Sequence, residues 1–241
     1  MNALEQLFQH SHKLMAIGAH PDDIDIECGG ALALLKRLNK EIIYLVCSSG
    51  EKGANNLSQG CYDLARMREQ EQIESAKVIG SDTVIFLRYK DGELENTQAF
   101  RAKLVEMIRQ YKPSILFAPD PANLTFSSPG VNHRDHRITG EAVFDAAYPA
   151  SGNVNFFQEH LAAGLTPHQV DGIYFYASHA PDFHVDIGDV MDLKINALLC
   201  HKSQISYIQN LAQRLRARYG AIGQQVGCEY AEAFRRLQIN K

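Results

Sequence analysis

The feature that most limits what this chain can fold into is a regular alternation of short apolar, β-prone runs with stretches of helical spacing. Residues 13–19 (KLMAIGA), 41–48 (EIIYLVCS), 83–87 (TVIFL) and 114–118 (SILFA) read as strands, and the unbroken apolar run at 41–48 suits a strand covered on both faces. Between them the spacing predicts helices over 31–39, opened by Gly29-Gly30, over 62–79, ended by Gly80, and over 96–111, stopped by Pro113. A loop over 119–132 with three prolines precedes a fourth helix at 133–148. Strands alternating with helices at this spacing imply a parallel, doubly wound sheet, and right-handed crossovers place helices on both of its faces. The second half is less regular. It reads as a loop or lid over 153–170, a strand at 172–177, a short strand at 184–187, mostly helix over 190–219 and a last helix at 229–237. No repeat or linker cuts the chain. The expectation is a single α/β domain over 1–241, with a Rossmann-like core at 12–150 and a substrate-shaping, C-terminal helical extension at 151–241.

Composition agrees with this and removes several function classes. A chain of 241 residues that is 45% apolar and 22% charged is ordinary for a globular domain and long enough to bury a full core. The net charge of −4 and the scattered basic residues argue against nucleic acid as a partner; Arg214, Arg216 and Arg218 are only spaced along a predicted helix. The longest apolar run, at 42–47, is far short of the ~20 residues a membrane-spanning helix needs. Residues 1–13 are polar and read as no secretory signal. Cysteines at 28, 47, 61, 200 and 228 form no Cys-x-x-Cys pair, which points to reduced thiols in a cytoplasmic protein. No G-x-S-x-G, G-x-x-x-x-G-K-[ST] or G-x-G-x-x-G element is present, so neither a serine-hydrolase elbow nor a nucleotide fingerprint is available. Ten histidines are many for this length, and where they fall matters more than their number.

In open α/β sheets ligands gather at the carboxyl ends of the strands, near the switch in strand order. Two polar clusters fall there. Ala19-His20-Pro21-Asp22-Asp23 follows the first strand, and Asn132-His133-Arg134-Asp135-His136-Arg137 follows the fourth. His20 and Asp23 come from one tight turn that Pro21 restrains, while His133 and His136 share a face if their segment is helical. Two histidines and a carboxylate suit a catalytic zinc with an open position, and the spare carboxylate suits a general base. Residue chemistry alone leaves open which histidine of the pair binds the metal. Each cluster has a simpler reading as well, an Asp N-cap and a pair of exposed histidines.

These segments carry a family resemblance. AHPDDIDIECGG resembles the first signature of the LmbE-like (PIG-L) N-acetylglucosaminyl deacetylases, and NHRDHR resembles their second. SSGEKG, Arg68-x-x-Glu71 with Gly80, YKDGEL at 89–94 and DIGDVMDLKINALLCHKSQ at 186–204 are similar to further family segments, in the family's order. The resemblance implies a zinc-dependent hydrolase that removes the acetyl group from an N-acetylglucosamine-type sugar or its conjugate. It assigns His20, Asp23 and His136 to the metal, Asp22 to the general base, His133 to the oxyanion and Asp135 to orienting His133. It associates Arg68 and Asp91 with sugar binding, and it allows His201 to approach a substrate pocket, in this chain or in a neighbouring subunit. A trimer or hexamer is the assembly it suggests. Fe(II) and Co(II) suit the same donors as Zn(II).

Two departures stand out. Ile24 replaces the acid that usually follows the Asp-Asp pair, with Asp25 and Glu27 beyond it, and Asn132 precedes the first histidine of the second signature. Two rival readings follow from the same residues: an amidase of the same metal chemistry acting on a thiol-conjugate amide, and a metal-dependent sugar-binding protein without turnover. No histidine is motif-linked to Cys28, Cys47 or Cys200, so these are read as inert thiols rather than nucleophiles.

Overall fold

The computed structural model describes residues 8–53, 60–81, 83–125 and 133–239. Asn132 lies outside them. Seven strands among the described residues form one sheet: β1 (Lys13–Gly18), β2 (Glu41–Ser48), β3 (Thr83–Tyr89), β4 (Ile115–Pro119), β5 (Gly172–Tyr176), β6 (Phe183–Asp186) and β7 (Ala231–Gln238). Their order is β3-β2-β1-β4-β5-β7-β6. The first five run parallel, with Leu14 opposite both Ile42 and Ile115, and β7 is antiparallel to both β5 and β6. The chain winds outward from β1 to β3, then returns to place β4 on the other side of β1. The switch in strand order therefore falls between β1 and β4.

Alternating residues of the buried strands feed two apolar layers. Leu14, Ala16, Ile42, Tyr44 and Val46 face α1 (Asp23–Arg37), α2 (Cys61–Ile79), α6 (Met191–Leu198) and α8 (Leu211–Val226). Met15, Ile17, Ile43, Leu45 and Cys47 face α3 (Gln98–Tyr111) and α4 (Arg134–Asp145). Two short helices, α5 (Gln158–Ala162) and α7 (Lys202–Ile205), complete the described set. Among the described residues no helix is long and apolar enough to cross a membrane.

The structure moves several predicted boundaries and changes one element type. The helix expected from residue 31 starts at Asp23, so Gly29 and Gly30 lie inside it. Gly30 is there for close approach: a Cβ on it would stand 2.7 Å from Ile187 Cγ2 and 2.9 Å from Glu232 Oε1. The fourth helix ends at Asp145 and passes into a wide turn over Ala146–Ala150. The region expected to be mostly helical breaks into α6, α7 and α8, and the predicted lid contains α5. The last predicted helix, over 229–237, is instead strand β7. Its charged residues do not form a solvated helical face. Glu232 is buried against Lys194, and Arg235 makes a two-pronged bond to Asp120.

Candidate metal centre and active site

The turn that leaves β1 carries half of the site. Asp23 opens α1, and its Oδ2 accepts the backbone N–H groups of Ala19 and His20, each at 2.9 Å. These bonds fix the carboxylate beneath the turn. His133 sits at the N-cap of α4, with Asp135 and His136 in its first turn. The helix start brings both beneath the β1 turn, across the switch in strand order.

Three donors then face one point. His20 Nδ1 lies 3.3 Å from His136 Nε2 and 3.5 Å from Asp23 Oδ2, and His136 Nε2 lies 3.1 Å from Asp23 Oδ1. Donors about 2.0–2.2 Å from a tetrahedral zinc stand roughly 3.3–3.6 Å apart, and these separations of 3.1–3.5 Å, with Asp23 turning a different oxygen to each ring, come close to what such an ion needs. The other imidazole nitrogen of His20 supports the same reading. Its Nε2 faces Asp91 Oδ1 at 3.2 Å and Asp135 Oδ2 at 3.3 Å. A carboxylate on one ring nitrogen holds the proton there and leaves the opposite nitrogen free for a metal. His133 is a third imidazole within reach of the group, its ring centre 4.2 Å from that of His136 and 5.0 Å from that of His20. It is exposed where His136 is only partly so, which suits a group that meets substrate.

Charge is strongly structured here. Burial opposes ionisation of Asp23, but His136 and His20 hold its carboxyl well below the usual range. Burial also disfavours a charged His20, yet Asp135, Asp23 and Asp91 raise its imidazole well above the ordinary value. Burial, then the neighbouring His136 and His20, pushes the His133 imidazole down to about 4. Burial pushes the Asp22 carboxyl up, against the pull of Arg68.

Asp22, Arg68, Asp91, His133 and the three donors share the wall of one cavity of about 380 Å³. A larger cleft of about 660 Å³, by Asn96, Arg101 and Phe156, holds none of these donors, so chemistry rather than volume marks the site. Arg68 is buried, with its guanidinium on Gly50 O (2.8 Å), Pro21 O (2.6 Å) and Asp22 Oδ2 (3.3 Å), and so is not the surface ion pair that a helix position also allows. Asp91 accepts from the Lys52 N–H at 3.0 Å while facing His20.

Two expected residues are placed differently. Asp135 is fully buried, and its bonds go to His20 and to the N–H groups of Gly92 (2.6 Å) and Leu94 (3.4 Å), not to His133. His201 is not in the cavity wall. It is fully buried, with Nε2 2.9 Å from Asp25 Oδ2. Lys52 and Gln204 do line the cavity and had no assigned role, although SSGEKG and HKSQ carried them. Gln72 is a further surprise: its helical spacing from Leu64, Arg68 and Ala76 is the one signal that could have placed it on the buried face, and it is buried against the Asp22 turn.

Comparison with known proteins places the chain in a family. A family model described as PIG-L, GlcNAc-PI de-N-acetylase, matches residues 15–147, the span that holds both signature clusters. Diacetylchitobiose deacetylase of Thermococcus kodakarensis is 34% identical over 205 residues, 83% of this chain and 73% of that protein. The probable N-acetyl-alpha-D-glucosaminyl L-malate deacetylase 2 of Bacillus subtilis is 28% identical over 209 residues, 84% of this chain and 88% of that protein. Among solved structures, N,N'-diacetylchitobiose deacetylase from Pyrococcus horikoshii superposes with a TM-score of 0.90 at 32% identity, covering 98% of this chain and 87% of that one. A matched span that includes His20, Asp23 and His136, joined to a shared fold across nearly the whole chain, has one consequence: the chain belongs to the PIG-L family of de-N-acetylases.

Proposed function

We propose that this protein is a zinc-dependent hydrolase that removes the N-acetyl group from an N-acetylglucosamine-type sugar or its conjugate and releases acetate. The observation that carries the reading is the triangle of His20 Nδ1, Asp23 and His136 Nε2 in one cavity with the Asp22 carboxylate. Those three residues would hold the metal. A zinc ion there supplies Lewis acidity and lowers the pKa of a water beside it towards about 7.

The chain's own groups do the rest. Asp22, held by Arg68, takes the proton of the attacking water on its carboxylate. His133 is neutral at working pH and donates a hydrogen bond to the oxyanion that develops on the acetyl oxygen. Asp22 then returns its proton to the departing amine, which leaves as the free amino sugar. Asp91, Lys52, Arg68 and Gln204 present carboxylate, ammonium, guanidinium and amide groups in the same cavity wall, and these suit sugar hydroxyls. The Thermococcus and Pyrococcus relatives act, by their names, on diacetylchitobiose, so that disaccharide is the first substrate to offer. An assembly of three or six chains and a cytoplasmic setting complete the reading, and sedimentation of the purified protein tests the first of these.

Acetate release from diacetylchitobiose and from N-acetylglucosamine conjugates tests the activity. It should vanish with a chelator and return with zinc. Asp22→Ala should lower kcat by about 10²–10⁴-fold while the protein keeps close to one metal per chain. Near-parental turnover by that variant would remove Asp22 from the mechanism. Turnover confined to thiol-conjugate amides would instead favour the amidase reading.

A further inference from the structure

Asp22 stands in a backbone conformation that an L-residue rarely adopts, with φ 98° and ψ −32°. Such a conformation is strained and persists only where its surroundings hold it. On the side-chain side the hold is Arg68, already described. On the backbone side it is Gln72 of α2. The Asp22 N–H donates to Gln72 Oε1 at 2.9 Å, and Gln72 Nε2 donates to Asp25 Oδ2 at 2.7 Å. Gln72, Asp25 and His201 are all fully buried.

The amide of Gln72 has one workable orientation. Turned over, its NH₂ would meet the Asp22 N–H and its oxygen would meet the Asp25 carboxylate, two repulsions in place of two bonds. Asp25 is in turn fixed by His201 Nε2 at 2.9 Å and the Tyr44 hydroxyl at 3.1 Å, while Lys194 Nζ holds the Asp25 carbonyl at 2.7 Å. A chain of contacts thus runs from the C-terminal half, through Asp25 and Gln72, to the peptide that aims the Asp22 carboxylate. Gln72 itself does not line the cavity.

We infer that Gln72 is a positioning residue for the hydrolytic step: it locks the strained Asp22 peptide so that the carboxylate points at the attacking water, and it transmits that constraint from Asp25 and His201. This rests on the reading of Asp22 as the proton acceptor. A residue with this role affects the rate of the chemical step through Asp22 alone and leaves substrate binding and metal content untouched.

The experiment is a double-mutant cycle on the metal-loaded protein with Gln72→Met, Asp22→Ala and the pair. Gln72→Met keeps the volume but supplies neither bond. It should lower kcat about 10- to 100-fold, as misplacement of a reacting group by about 1 Å does, with KM within about twofold and metal content unchanged. On the Asp22→Ala background it should lower kcat by less than about twofold further, because residues that act through one group do not add. If Gln72→Met does not fold, Gln72→Asn, too short to span both partners, carries the same expectation. Parental kcat in the glutamine variant, a change confined to KM, or an equal loss on both backgrounds overturns the inference. Near-parental turnover by Asp22→Ala alone overturns instead the reading on which it rests.

Discussion

At the scale of single residues, the site is organised around the two nitrogens of His20. Nδ1 belongs to the triangle with Asp23 and His136, and Nε2 belongs to Asp91 and Asp135. The second contact decides the first, because a ring held by carboxylates at Nε2 keeps its proton there. Asp135 is itself pinned by the Gly92 and Leu94 N–H groups, so its position does not depend on the histidine. Asp135→Asn should therefore weaken zinc binding by about 10–100-fold, measured by competition with a chromogenic chelator. Unchanged affinity together with a lower kcat would return Asp135 to the role of orienting His133. None of the five cysteines lines the cavity. All are free thiols, and burial pushes the Cys47 thiol up to about 12 and holds the Cys28 thiol well above its ordinary value, which makes both inert.

At the scale of elements, α1 is the piece on which the rest depends. Its first turn holds Asp23 and Asp25, and its middle is gripped from the side by an ion pair. Glu232 of β7 accepts the N–H groups of Gly30 (2.8 Å) and Ala31 (2.7 Å), and Lys194 of α6 donates to Asp25 O, Ile26 O (2.6 Å) and Glu232 (2.6 Å). Both charges are fully buried and both are fully bonded. Removing one partner of such a pair strands the other, typically at about 3–5 kcal/mol. Close approach of β7 is possible only because residue 30 has no side chain. Gly30→Ala should destabilise the protein by about 1–3 kcal/mol through overpacking. In a chain of this size that lowers Tm by about 2–4 °C per kcal/mol, read by thermal unfolding at neutral pH. An unchanged Tm would show that Ile187 and Glu232 move aside without cost.

At the scale of the whole molecule, the C-terminal half is part of the same sheet rather than an appendage. β5, β7 and β6 extend the sheet beyond β4, and Arg235 of β7 reaches across to Asp120 just past the end of β4 with bonds of 2.8 and 2.6 Å. Burial raises the Asp120 carboxyl, but Arg235 and further donors hold it below the ordinary carboxylate value. A depressed carboxyl contributes stability above its unfolded pKa of about 3.9 and loses it as pH falls through the folded value. Asp120→Asn should thus cost about 1–3 kcal/mol at pH 7, the range for bonds to a charged group, and the gap to the parent should close only below about pH 4. Urea titrations at pH 7, 5 and 3.5 measure it. A gap that is constant across the three would assign the effect to packing instead of charge.

The sequence by itself determined the parallel part of the fold, because five apolar β-prone runs separated by helical spacing have few other ways to bury themselves. It also placed His20, Asp23, His133 and His136, since residues at strand ends next to a switch in strand order converge whatever the loops do. Glycine pairs and charged runs misled it. Gly29-Gly30 read as a helix start whereas Gly30 is a point of close packing inside the helix, and residues 229–237 read as a helix because the partners of Glu232 and Arg235 lie 38 and 115 residues away in the chain. Tertiary structure alone decided that His201 and Asp135 are buried outside the cavity wall, that Lys52 and Gln204 reach that wall, and that Gln72 meets the Asp22 peptide. Those facts depend on which side chains become buried against one another across long stretches of chain, and local pattern carries no record of such partners.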